Sequence, residues 1–127
     1  MKKLLLTTVA LVLAVGQAAA KDVLLSREET YENSPVLMGM AKHVKALPAK
    51  ERDQWAMLAA ASIKYNTLCA ELPLKVRLAV AGTMMGTAES TVEQINRIER
   101  EIEVTGAVEF CAAIKPAIEG LVRNFDK

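Results

Sequence analysis

The sequence predicts an all-α protein, a small antiparallel bundle of four to five short helices with one interhelical disulfide. Three observations carry this. Alternation of apolar and polar residues never persists beyond a few positions, so strand signals are nearly absent. Apolar residues recur instead at steps of three and four, the spacing of one helix face. A proline or a hydroxyl residue repeatedly stands just ahead of such a stripe, where helices start.

Taken in chain order, the first twenty residues, MKKLLLTTVALVLAVGQAAA, read as a secretory signal peptide. Lys2 and Lys3 form its positive end, Leu4 to Val15 its apolar stretch, and Ala18-Ala19-Ala20 its small-residue cleavage pattern. The apolar stretch is well short of the roughly 20 residues that a membrane-spanning helix needs. The expected product is a periplasmic protein cut after Ala20, without stable membrane insertion. Residues 21–33 carry charge and little apolar periodicity, and are expected as a flexible tail or a short turn of helix. Residues 34–127 are then the bundle domain.

Ser34 as N-cap and Pro35 at the first helical position start a helix whose apolar face is Leu37, Met40, Val44 and Leu47. Pro48 starts a second, with Glu51 and Asp53 in its first turn complementing the helix dipole. Trp55, Leu58, Ser62, Tyr65 and Cys69 follow along one side of it, and the run AMLAAAS permits close approach by a neighbour. A third helix is expected from Pro73, fading at Gly82, with GTMMGTAES as a break. Ser90 and Glu93 have the spacing of a capping box, followed by the stripe Val92, Ile95, Ile98 and Ile102 and a stop at Gly106. The last helix carries Val108, Cys111, Ile114, Ile118, Leu121 and Phe125 on one face, with a kink or restart expected at Pro116.

Cys69 and Cys111 both fall on inward faces, and an exported chain with two cysteines is expected to pair them. The bridge closes a loop of about 43 residues, worth roughly 4 kcal/mol in the chain-entropy model. A redox motif of the C-x-x-C type, a haem-attachment motif and zinc-ligand spacing are all missing, so the pair reads as a structural staple.

Losing Lys2 and Lys3 with the leader lowers the formal net charge from +1 to −1. Nucleic-acid binding rests on clustered basic residues, and none cluster here. No phosphate loop, nucleophile elbow or metalloprotease motif occurs, and no catalytic residue is assigned. No cofactor is expected. What remains is a non-catalytic protein working by protein–protein contact with another periplasmic or secreted protein, either chaperone-like or inhibitor-like as immunity proteins are. Its candidate contact residues are Met84, Met85 and Tyr31, since adjacent methionines adapt to varied apolar partners; the other reading of Met84 and Met85 is that they close one end of the core. The alternative is copper handling, with Met40 and His43 on one helix face as soft ligands. Thiol titration of the unreduced exported protein should find no free thiol, and two free thiols would remove the staple.

Overall fold

Pro48 and Pro73 each stand immediately ahead of a helix, with φ of −57° and −58°, the value their rings impose. With these starts the computed structural model, which describes residues 23–125, has six helices. They are α1 (Arg27–Glu32), α2 (Ser34–Lys45), α3 (Ala49–Leu68), α4 (Leu74–Gly86), α5 (Ala88–Thr105) and α6 (Ala107–Phe125). No strand occurs among the described residues, and the fold is the expected helical bundle. The expected leader, residues 1–20, lies outside the described residues.

The two middle helices form the centre. α3 and α4 pack on each other, and each also packs on α2, α5 and α6. Ala59 to Lys64 of α3 and Leu78 to Met84 of α4 are buried without interruption, which is why neither segment shows a narrow apolar stripe. α2 packs chiefly on α4, and α5 chiefly on α3. α5 and α6 keep one apolar stripe each, as outer helices do.

Several expectations are corrected. Of residues 21–33, the described residues 23–33 are not a flexible tail but a segment anchored on the bundle, with a short turn of helix. Leu24 and Leu25 are 3% and 1% exposed, and α1 follows them. Its start has a capping box: the Glu29 N–H donates to Ser26 Oγ at 3.0 Å, and the Ser26 N–H donates to Glu29 Oε1 at 2.9 Å. Two adjacent leucines have no period, so their burial left no trace in the pattern.

The capping box expected at Ser90 and Glu93 does not form, because α5 already begins at Ala88 with Thr87 as its cap. Thr87 has been drawn into the core instead. Its hydroxyl donates to the Thr83 carbonyl oxygen at 2.8 Å and shares a second hydrogen bond with Thr91 Oγ1.

The break expected within GTMMGTAES is present, but at Thr87 and not at Gly82: α4 runs on to Gly86. Each interior glycine costs a helix about 1 kcal/mol relative to alanine, and burial of α4 on two sides outweighs that. Both glycines lie where α2 touches α4. A Cβ on Gly82 would stand 2.5 Å from Met40 Cβ and 3.1 Å from the Leu37 carbonyl oxygen. One on Gly86 would stand 2.7 Å from the Ala41 carbonyl oxygen. The pair sets how near the two backbones come.

Finally, α6 does not restart at Pro116 but is helical on both sides of it. The carbonyl that loses its donor belongs to Ala112, an exposed residue, where an unmade backbone bond costs less than in the core. Val108, expected on the inward face, points to solvent and is 83% exposed.

Gly86→Ala should therefore destabilise the protein by about 1–3 kcal/mol, because the neighbour it meets is backbone. Gly39, also helical, has open space at its Cβ position, and Gly39→Ala should stabilise by about 0.5–1 kcal/mol. Urea denaturation of the two variants checks both signs.

Candidate functional site

Cys69 closes α3, and its N–H donates to the Tyr65 carbonyl oxygen at 2.8 Å. Cys111 stands in the second turn of α6. Their Cα atoms are 5.8 Å apart and their sulfurs are bonded, so the expected staple is present. Neither cysteine is fully buried. Both line an open groove of about 460 Å³ between the end of α3 and the start of α6, with Tyr65, Leu68, Val108 and Lys115 among its walls. A second groove of about 400 Å³ adjoins it across Tyr65, walled by Leu72, Pro73, Ile118 and Val122.

The groove owes its openness to α6. Along Ala107–Lys115 no residue is fully buried: half-buried Ile114 packs against the core cluster, and the fully buried contacts begin at Ile118 and Leu121. At the turn between α5 and α6, Gly106 has φ +95° and ψ 154°, a conformation nearly reserved for glycine. It leaves Val104 and Val108 on either side of the turn at 84% and 83% exposure. Exposed Leu68 lies on the facing wall of the groove.

This is not where the sequence directed attention. Met84 is 1% exposed and belongs to the core cluster, and half-buried Met85 packs against that cluster. Their expected role as an exposed contact is corrected: α4 continues past Gly82, which turns Met84 inward. Tyr31 is exposed as expected, at 83%. Met40 lies against Gly82 in the α2–α4 contact while His43 is exposed, so packing holds one proposed metal ligand and solvent the other. Val104 did leave a signal. It interrupts the charged face of α5, about 200° round the helix from Ile102 and off the apolar stripe.

Two charged groups missed from sequence hold the frame. Arg77 Nη1 donates to Glu29 Oε1 at 3.0 Å and to the Leu24 carbonyl oxygen at 3.3 Å, and its Nε donates to the Leu72 carbonyl oxygen at 2.8 Å. One guanidinium thus ties the N-terminal segment to the loop before α4. The hydrogen bond from the Ser26 N–H holds the Glu29 carboxyl below its ordinary value against the opposing effect of burial, with Arg77 adding to the lowering. Lys64, 3% exposed, pairs with Glu99 Oε2 at 3.1 Å. Glu99 is thereby partly covered, whereas Glu101 and Glu103 on the same helix are exposed.

Compared with protein-family models, curated proteins and solved structures, the chain matches none. Among the described residues, no helix is long and apolar enough to cross a membrane.

Because Glu29 is held below its ordinary value of 4.5, its contribution to stability is complete above that pH and is lost as the pH falls through its folded value. Amide exchange over residues 24–33 should accelerate below pH 4.5 ahead of α4, and Glu29→Gln should bring the fast exchange to neutral pH.

Proposed function

We propose that this chain is exported, loses residues 1–20, and acts by binding another exported protein with its fold intact rather than by catalysis. The observation that carries the reading is the apolar surface at the α5–α6 turn. Val104 and Val108 stand almost fully in solvent beside a groove whose far wall presents Leu68. Exposed aliphatic side chains on a frame tied by a disulfide suit a preorganised contact, in which little side-chain or backbone freedom is lost on docking. The disulfide supports an oxidising compartment, as the leader sequence does.

Of the two forms this reading takes, inhibitor-like binding is the better supported. It needs only the folded surface, whereas a chaperone must first expose its core. A specific observation keeps the acid-opened chaperone as a second reading: the Glu29–Arg77 contact that holds Leu24 and Leu25 in place weakens in acid. The copper alternative, with Met40 and His43 as ligands, ranks behind both, since Met40 is engaged with α4.

The test is capture from periplasmic extract at neutral pH, using the tagged mature protein and a Val104→Glu, Val108→Glu double variant. The inhibitor reading expects one protein partner held one-to-one, with affinity reduced at least tenfold in the double variant and thermal stability nearly unchanged. Client proteins captured only after acidification would favour the chaperone, and stoichiometric copper without protein would favour metal handling.

A further inference from the structure

We infer that the Cys69–Cys111 disulfide is a site of thiol–disulfide exchange, attacked by a dithiol at Cys69 and releasing Cys111. The first ground is access. A disulfide that only staples a core is sealed by it, yet here both half-cystines are partly exposed on the wall of an open groove. The groove gives an incoming thiolate room beside the two half-cystines.

The second ground is asymmetry. In exchange, the sulfur whose thiol has the lower pKa leaves faster. Cys69 follows the last turn of the 20-residue helix α3, where unpaired carbonyls disfavour a developing negative charge. Cys111 lies in the N-terminal part of α6, and Lys115, one turn further along, lines the same groove with a cationic side chain. Glu109, the acidic residue nearest in sequence to Cys111, is not part of the groove wall. The thiolate is thus better stabilised at Cys111, which makes Cys111 the leaving group and Cys69 the point of attack.

The step balances with a dithiol as the reductant. Its first thiolate bonds to Cys69 Sγ, the Cys69–Cys111 bond breaks, and the electron pair departs on Cys111 Sγ, which takes up a proton. The second thiolate of the reductant then displaces Cys69 from the mixed disulfide. The dithiol ends as a disulfide, and Cys69 and Cys111 end as two thiols.

The third ground is the consequence for the fold. Ala107–Lys115 has no fully buried residue, and it is held by the bond to Cys69 and by half-buried Ile114, which packs on the core cluster. The other half keeps its hold through Ile118 and Leu121 in that cluster. Reduction removes the covalent one of these two ties, loosens the first half of α6 and leaves the rest of the bundle folded. Lys115 acts here as a positioning residue for the leaving thiolate. The inference concerns the bond itself and stands whether or not a partner docks at Val104 and Val108.

The experiment mixes the native oxidised mature protein with a C-x-x-C oxidoreductase whose second cysteine is replaced by serine, alkylates free thiols, and maps the adduct by mass spectrometry. The expected product carries the reductant on Cys69 and the alkyl group on Cys111. In parallel, reduction by dithiothreitol should slow about two- to threefold in Lys115→Gln and return to the parent rate in Lys115→Arg. On reduction, amide exchange should accelerate over residues 107–115 while α2 and α4 stay protected. An adduct on Cys111, an adduct seen only after denaturation, or equal rates for the Lys115 variants would overturn the assignment. Unchanged exchange in α6, or unfolding of the whole bundle, would overturn the release.

Discussion

Two hydrogen atoms, standing where Gly82 and Gly86 would otherwise carry side chains, set the distance between α2 and α4, and the rest of the bundle is arranged around that contact. At Gly86 the atom a Cβ would meet is a backbone oxygen of Ala41, which no rotamer change can move aside. The close approach makes α4 a helix buried for much of its length, and a helix buried on most sides must find partners for every polar group it carries. It does so within the chain. Thr83 donates to the Ala79 carbonyl oxygen, Thr87 to the Thr83 carbonyl oxygen, and Thr87 and Thr91 share a bond that leads the chain from α4 into α5 without an intervening loop. Small residues serve α3 in a similar way. Ala56, Ala59, Ala60 and Ala61 are all buried, and the helix lies among α2, α4, α5 and α6 because alanine leaves them room.

How legible this was depended on where each residue lies relative to solvent. The outer helices announced themselves. Val92, Ile95, Ile98 and Ile102 trace the inner side of α5, and Ile114, Ile118 and Leu121 that of α6, because half of each helix still faces water and the contrast survives in the sequence. The central helices lost that contrast, so the glycines of α4 read as a break when their purpose was proximity. The cysteine pairing was legible because both residues lie on inner or half-buried faces and no competing ligand motif exists. Leu24 and Leu25 were illegible: what buries them is a guanidinium 53 positions away, bonded to the Leu24 carbonyl oxygen. The candidate surface was half-visible. Val104 stands out from the charges around it, while Val108 fits the inward stripe of α6 by spacing and leaves it only because the first half of that helix stands off the core.

The charged residues divide in the same way. Lys64 and Glu99 are 35 positions apart, and Arg77 and Glu29 are 48 apart. Neither pair can be found from helical spacing, yet each joins segments that apolar packing alone would leave free to slide. A buried lysine imposes a register, because any shift of α5 along α3 leaves an ammonium in the core without this carboxylate, at a cost of several kcal/mol. Arg77 does the same for the N-terminal segment, with hydrogen bonds that only one placement of Leu24, Leu72 and Glu29 satisfies.

From this distribution follows a division between frame and surface. α2 to α5 contribute most of the buried residues, the internal hydroxyl bonds and the buried lysine pair, and are rigid for that reason. α6 contributes two buried side chains, in its second half, and its first half is held by one covalent bond and half-buried Ile114. Local opening free energy is lowest where buried apolar contacts are fewest. The least anchored segment therefore coincides with the most exposed aliphatic side chain of α6 and with the accessible sulfur pair. A contact surface built there can differ in position between the bonded and the reduced chain without any change in the core. The same surface placed on α4 would be fixed by Gly82 and Gly86, and no chemistry at the disulfide could move it.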